Sequence, residues 1–521
     1  VLKNKKWGAA LTTLLAGSMI LGACGNGNDT ASNSPSASPS VKPEAAASAS
    51  PNAIDTSKAV TLKMVMLGPK PVDYDLVFGE INKVLGAKVN ATLQTEFLDW
   101  SDWKQKYPLK FAANEDFDII YTANWALYTN QANKDGFLEL TDDMLSKYAP
   151  QTWKAMPKVS WDQARVKGKV YMIPQNKSNE FIDKLVLYRE DWRLKYNLPP
   201  ITDGASFAQY LETIAKNEKG VTPFGLESTT ATMHMLDTEL LVQKNNWDMV
   251  EGPFAFKTED AAGKVFNIYE TAEFKELLSY YKTLADNGGW SRNVLTNKSN
   301  AKDDFKAGKI AAMAHTLSSV SSIMADMNKA QPDMKVALAD LVPNSHKTSA
   351  ISTQNGVAIH ATSKNPERAL MVLDLLQNDR QIHDLIMYGI EGTHYTAGGN
   401  DKFTKMDKFA NFNSFTNWGW SSPLNRVDTS YPQAAQDIEK QWLGKVYHYK
   451  LETFVFDNSK VVNEVANVSN VMVRYGVPLE YGLVKDLDKG LAELHSQLKA
   501  AGVDKIQAEI QSQIDAFLAS N

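Results

Sequence analysis

The chain contains one cysteine, Cys24, in 521 residues. A single thiol cannot close an intramolecular disulfide, and it excludes cysteine-rich zinc or iron–sulfur sites. An excess of positive charge is missing too: 55 Lys and Arg face 60 Asp and Glu, for a formal net charge of −5. A nucleic-acid binder is expected to carry a basic surplus, so that class is excluded. Beyond residue 24 no stretch stays apolar for the roughly 18–20 residues that a membrane-spanning helix needs. Gly-x-Ser-x-Gly elbows, His-Glu-x-x-His helices and phosphate-cradling Gly-rich loops do not occur. Met233-His234-Met235 has soft-ligand residue types, but alternation in a helix or strand separates them. Asp486-Leu487-Asp488-Lys489-Gly490 lacks the remaining oxygen ligands of a calcium loop and reads as a helix start. Neither a metal nor a cofactor is expected. Paired carboxylates for glycoside hydrolysis need only lie about 5–10 Å apart in space, so the sequence leaves that chemistry open.

What the chain does have is a globular composition, 43% hydrophobic and 10% aromatic with 12 Trp. Its length exceeds the roughly 250–300 residues at which a single core stops growing, so more than one folding unit is expected. The first residues differ from the rest. Lys3, Lys5 and Lys6 precede an apolar run from Ala9 to Leu21, too short to span a bilayer as a helix. Leu21-Gly22-Ala23-Cys24 resembles a bacterial lipobox, which implies a signal peptide over 1–24 and lipidation of Cys24. Two acyl chains on that thiol would anchor the protein at the extracellular face of the bacterial cell membrane. Residues 25–57 are rich in Ser, Ala and Pro and carry little that can be buried, which predicts a disordered tether. Its root-mean-square reach would be on the order of 30 Å.

From Val60 the pattern becomes alternating strands and helices. Val60, Leu62, Met64 and Met66 alternate before Gly68-Pro69, predicting a first strand. Val77, Ile81 and Val84 have helical spacing, and 88–93 reads as a second strand. A helix around 104–113 and a third strand at 117–122 follow. Such alternation predicts a parallel sheet with crossover helices, whose ligands sit beyond the carboxyl ends of the strands. Segment 168–174 reads as a turn entering a short strand, and 305–315 as a helix end, a Gly cap and a small-residue strand. Asn365 is a candidate N-cap for a helix that begins at Pro366 and carries an apolar face as far as Gly389. Residues 487–517 read as amphipathic helix.

Together these pieces resemble the extracellular solute-binding lipoproteins of ABC importers, in the sugar-binding branch related to maltose-binding protein. The likeness rests on 168–174, 305–315, Gly356-Val357-Ala358-Ile359 leading into 363–369, and Tyr388-Gly389-Ile390-Glu391-Gly392-Thr393-His394-Tyr395. The last string is similar to the Gly-Ile-Glu-Gly-x-His-Tyr signature of a lipoprotein subgroup. The resemblance implies an α/β, two-lobed, periplasmic-binding-protein-like type II fold with discontinuous lobes joined by hinges. The first lobe would take 59–171 plus 355–395, and the second 172–354 plus 396–521, with hinges near 170–174 and 351–357. It also implies capture of an oligosaccharide or related polar solute in an interlobe cleft, delivery to permease subunits, a monomer, and no catalysis. A membrane-tethered polysaccharide-degrading enzyme, or a solute receptor for a sensor kinase, remains compatible with the same features.

A sugar ring presents C–H faces that suit flat aromatic rings and an edge of hydroxyls that suits amides, carboxylates and Arg. Candidate contacts are therefore Asn124, Trp125 and Tyr128 after the third strand, and Trp418 and Trp420 in the aromatic run 413–420. His315 follows the small-residue strand, and Gln354 and Asn355 precede Gly356. Glu391 and Tyr395 belong to the signature string and could instead fix a turn.

Overall fold

The structure, a computed structural model, describes residues 54–520 except 177–180, 183, 227–234 and 297–299. Cys24, the signal segment, all of the expected tether before residue 54, and Met233-His234 lie outside the described residues. The chain divides into two units, Val1–Asp55 and Thr56–Asn521, and only the second is treated below.

Two sheets organise this unit. The first has five strands in the order Ala91–Leu98, Val60–Leu67, Ile119–Thr122, Gly356–Ile359, Ile173–Pro174. Its first three are parallel, while Gly356–Ile359 runs antiparallel to both neighbours. The second has four, in the order Val336–Ala339, Leu185–Arg189, Ile310–His315, Thr222–Phe224. The chain therefore passes from the first sheet to the second after Pro174 and returns before Gly356.

Local sequence explains the elements around the first sheet. Helix Tyr74–Val89 buries Val77, Phe78, Ile81 and Leu85 along one face against the strands. The helix runs further than its apolar spacing suggests and stops at Asn90, in a left-handed conformation. The second strand consequently starts at Ala91 rather than at 88. The apolar face after Pro366 is cut into two helices, Pro366–Asn378 and Arg380–Tyr388. Asp379 divides them, because its carboxylate accepts from the backbone N–H groups of Gln381 (3.1 Å) and Ile382 (3.2 Å). Asn365 makes no side-chain cap, and the Ser363 hydroxyl accepts from its backbone N–H instead. The C-terminal stretch is likewise two helices, Leu487–Ala500 and Val503–Ser520, with Gly502 at φ 92° between them. Asp486 caps the first by accepting from the Lys489 N–H.

The apolar residues of the first sheet and its helices form one cluster, and Phe403, Phe412, Phe415 and Trp420 belong to it. Those four were expected with the second lobe. A second cluster joins Val186, Phe207, Tyr210, Phe274 and Tyr281 to Leu494, Ile506, Ile510 and Ile514 of the last two helices. A third gathers Phe305, Met313, Leu317, Ala435 and Trp442. Helix Gln433–Leu443, which follows strand Val427–Asp428, thus supplies Ala435 and Trp442 to the third cluster rather than to the first.

The amino-terminal approach to the first sheet is fastened by side chains. Asn90 Nδ2 donates to the carbonyls of Thr56 and Ser57, both at 3.0 Å. The buried Arg368 guanidinium reaches the carbonyls of Lys58 (3.2 Å), Val89 (2.6 Å) and Asn90 (3.0 Å).

Candidate functional site

Four segments meet the carboxyl edge of the first sheet. Strand Ala91–Leu98 runs into 99–102, Ile119–Thr122 into 123–127, and Ile173–Pro174 into Gln175. Gly356–Ile359 runs the opposite way, so the segment that enters it, 352–355, reaches the same edge. The short turn Asn417–Trp420 joins them. Thr416 N–H donates to the Leu67 carbonyl at 2.9 Å, and the Leu67 N–H donates to the Thr416 hydroxyl at 3.1 Å.

Three tryptophans stand half-exposed here: Trp125 at 44%, Trp418 at 39% and Trp100 at 38%. The Trp100 and Trp418 rings are nearly parallel, 4° apart, with centroids 6.1 Å from each other. Trp125 leans on Trp100 at 6.4 Å and meets Trp103 edge-on at 5.8 Å. Carbon contacts settle at about 3.5–4.0 Å, so a sugar ring held between two indoles would need roughly 7–8 Å. The Trp100–Trp418 pair is closer than that, and it offers its outer faces and edges rather than a slot.

The ring nitrogens are held by the segment that returns from the second sheet. Trp125 Nε1 donates to the Gln354 carbonyl at 2.7 Å, and Trp418 Nε1 to Asn355 Oδ1 at 2.9 Å. The Tyr121 hydroxyl also donates to Asn355 Oδ1, at 2.5 Å. Burial pushes the Tyr121 phenol above its ordinary value, which keeps it a donor. Asn124 is exposed. Its Oδ1 accepts from the Trp125 N–H at 2.8 Å, and its own N–H donates to the Thr353 carbonyl.

The structure thus brings Asn124, Trp125, Gln354, Asn355 and Trp418 to one edge and sends the other candidates elsewhere. Trp420 is fully buried in the first core cluster. Tyr128 is buried as well, stacked on Phe137 with its hydroxyl donating to the Ala164 carbonyl. Tyr395 packs between Tyr388 and Phe403. Glu391 is exposed, and its Oε1 accepts from the Ala397 N–H of the same turn at 3.2 Å. Beside it, His394 is completely buried, its Nδ1 accepting from the Ile390 N–H at 2.9 Å.

His315 ends a strand of the second sheet, where its Nδ1 accepts from the Thr316 N–H at 2.8 Å. Burial, aided by Lys302 and Lys184, holds its pKa well below the usual imidazole value, so it is neutral at physiological pH. Among the described residues no group of three or more His, Cys, Asp or Glu is placed to hold a metal. Nor is any helix there long and apolar enough to cross a membrane.

Trp100 was missed from sequence. The signal was available: Asp99-Trp100-Ser101-Asp102-Trp103 follows the second strand as Asn124-Trp125 follows the third, so the carboxyl-end rule applies to both.

Residues 81–389 match the family described as bacterial extracellular solute-binding protein, which is more than half of the chain. The chain belongs to that family. This solute-binding protein is 24% identical over 541 residues to a carbohydrate ABC transporter substrate-binding protein of Streptococcus pneumoniae serotype 4, covering 99% of each. It superimposes on the N-glycan transport solute-binding protein NgtS of Streptococcus pneumoniae, solved with Man5GlcNAc, with a TM-score of 0.73. That alignment is 22% identical and covers 89% of this chain and 99% of the other. The alginate-binding protein AlgQ2 aligns at 17% identity and a TM-score of 0.63, over 88% and 98% of the two chains. These likenesses show the fold, the α/β type II arrangement of binding proteins. Residues 450–519 match a second family, described as a domain of unknown function.

Proposed function

We propose that this solute-binding protein captures an oligosaccharide at the tryptophan edge of the first sheet and delivers it, uncleaved, to the permease of an ABC importer. The observation that carries this reading is the cluster of three half-exposed indoles, two of which, Trp125 and Trp418, have their N–H groups tied to a segment crossing between the two sheets. Large exposed aromatic surface is unfavourable in water unless a ligand covers it, and C–H faces of sugars suit it. The contact set is Trp100, Trp125 and Trp418 for stacking, with Asn124 and the Gln354 amide for hydroxyls.

The lobes that close on the sugar are the bodies around the two sheets, and they turn about 173–176, 349–355 and 428–433. On this reading 396–428 travels with the first lobe, since its apolar residues share that core. His315, at the end of a second-lobe strand, faces the sugar from the other side. The protein works as a monomer, held outside the cell by a lipid on Cys24. Relatives named for a carbohydrate importer and for N-glycan transport support the choice of ligand class.

A glycan panel tests this, with N-glycan fragments first and uronate polymers as the contrast. A bound glycan at 100 times its Kd should add about 2.7 kcal/mol to apparent stability, read as a raised melting temperature. The glycan should be recovered intact by mass spectrometry. Release of shorter sugars would overturn capture in favour of hydrolysis.

A further inference from the structure

Asn355 occupies an unusual place: it is the last residue of the returning segment, in extended backbone (φ −151°, ψ 150°), immediately before Gly356 enters the first sheet. Its side chain is nearly used up by the protein. Oδ1 accepts from both the Tyr121 hydroxyl and Trp418 Nε1, which fills the two lone pairs of an amide oxygen. Nδ2 donates to Gln175 Oε1 at 3.2 Å, and the Asn355 carbonyl accepts from the Gln175 N–H at 2.9 Å. Gln175 is itself buried, at the start of the outgoing crossing. One amide therefore joins the outgoing segment, the returning segment, the floor of the sheet and one plate of the tryptophan pair.

The neighbouring turn is shaped to the same end. A Cβ on Gly419 would lie 3.0 Å from the Tyr121 ring, so the residue after Trp418 rests directly on the phenol that also binds Asn355. The Trp418 ring then has its plane fixed by Trp100 on one side and its nitrogen fixed by Asn355.

We propose that Asn355 is a positioning residue, which sets Trp418 against Trp100 and couples that pair to the crossing segments, and that it does not bind the sugar through its carbonyl. Displacement of 349–355 relative to the sheet changes the spacing of the pair. Conversely, a ligand resting on the pair biases where that segment sits. The inference rests on the oligosaccharide reading for its binding consequence, but its spectroscopic consequence belongs to the free protein.

The test compares Asn355→Asp, which keeps an acceptor for both donors, with Asn355→Leu, which keeps the shape and removes it. Two parallel indoles at this separation couple their transitions. The ligand-free far-ultraviolet circular dichroism of Asn355→Leu should therefore move to that of Trp418→Phe, while Asn355→Asp stays with the unsubstituted protein. Asn355→Leu should bind the best glycan of the panel at least tenfold more weakly by calorimetry, and Asn355→Asp within about threefold. Should Asn355→Leu not fold, Asn355→Ser serves in its place with the same expected losses, because the serine hydroxyl is too short to reach Trp418. An unchanged indole signal in the Leu or Ser variant would overturn the positioning role. So would a loss of affinity in Asn355→Asp as large as in Asn355→Leu while its indole signal stays unchanged, since the pair would then be in place and the lost amide would be a sugar contact. If no glycan binds any form, the oligosaccharide reading fails, and the ligand-free spectra still decide the role of Asn355.

Discussion

Two sets of aromatic residues belong to the first sheet, and they have opposite fates. At the carboxyl edge Trp100, Trp125 and Trp418 keep about two-fifths of their surface in water, and the N–H groups of Trp125 and Trp418 are anchored to the segment 354–355. On the flank, Tyr388, Tyr395, Phe403, Phe412 and Trp420 pack on one another and on helix Arg380–Tyr388, and all are buried. The difference lies in what the backbone does. Trp100 and Trp125 sit on loops that leave strand ends, and Trp418 sits on the turn 417–420 that reaches the same edge. Flank rings sit on a hairpin and turns folded back against a helix, where burying each large side chain is worth about 1.5–3 kcal/mol. Aromatic content therefore does not by itself tell an exposed ring from a buried one; what the ring is packed against does.

Trp418 and Trp420 break or sharpen that contrast most strongly, because they share one short turn. Trp420→Ala empties a fully buried site and should cost about 3–5 kcal/mol of stability, read from chemical denaturation. Trp418→Ala should cost under about 1 kcal/mol of stability while weakening glycan binding by roughly 30-fold, the scale of an interface hot spot. Equal destabilisation by the two would place Trp418 in the core and remove it from the site. Next in size is Gly389, which ends helix Arg380–Tyr388 at φ 84°. A Cβ there would stand 2.8 Å from the His394 ring. Gly389→Ala should lower stability by about 1–3 kcal/mol through backbone strain and this clash, with glycan affinity unchanged in protein that remains folded. A binding defect without a stability defect would return the turn to the site. The smallest effect is expected of Glu391→Gln, whose amide oxygen can still accept from the Ala397 N–H. Affinity and melting temperature should both stay within error, and a tenfold loss of affinity would make Glu391 a ligand contact.

How far these outcomes were legible in the sequence depends on what each residue's fate is decided by. The alternation of 60–66 and the Phe117–Thr122 run each read as a strand, because alternation and a short apolar run are local properties, whereas the parallel pairing of the two is not. The gap between helices at Asp379 was hidden, since the apolar spacing continues across it and only the capping carboxylate interrupts the helix. Trp125 was legible through its place after a strand. Trp418 and Trp420 were not separable, because two residues two apart in a turn of three residues per turn point about 120° apart, and which one faces inward is set by Tyr121 and the sheet beneath. Asn355 was found as an amide near a hinge, but its occupation by Tyr121, Trp418 and Gln175 joins residues up to 234 positions apart in sequence. The signature string around Glu391 stood out by resemblance, and the structure accounts for much of it by the packing of Gly389 on His394.

The Asn90 and Arg368 clamp on residues 56–58 has a practical corollary. Strand Val60–Leu67 spans eight residues, roughly 26 Å at about 3.3 Å each, between that clamp and the indoles. A handle grafted upstream of Thr56, such as a biotin tag for a sensor chip or a fluorescent fusion, therefore joins this unit at the end of the strand opposite the indoles.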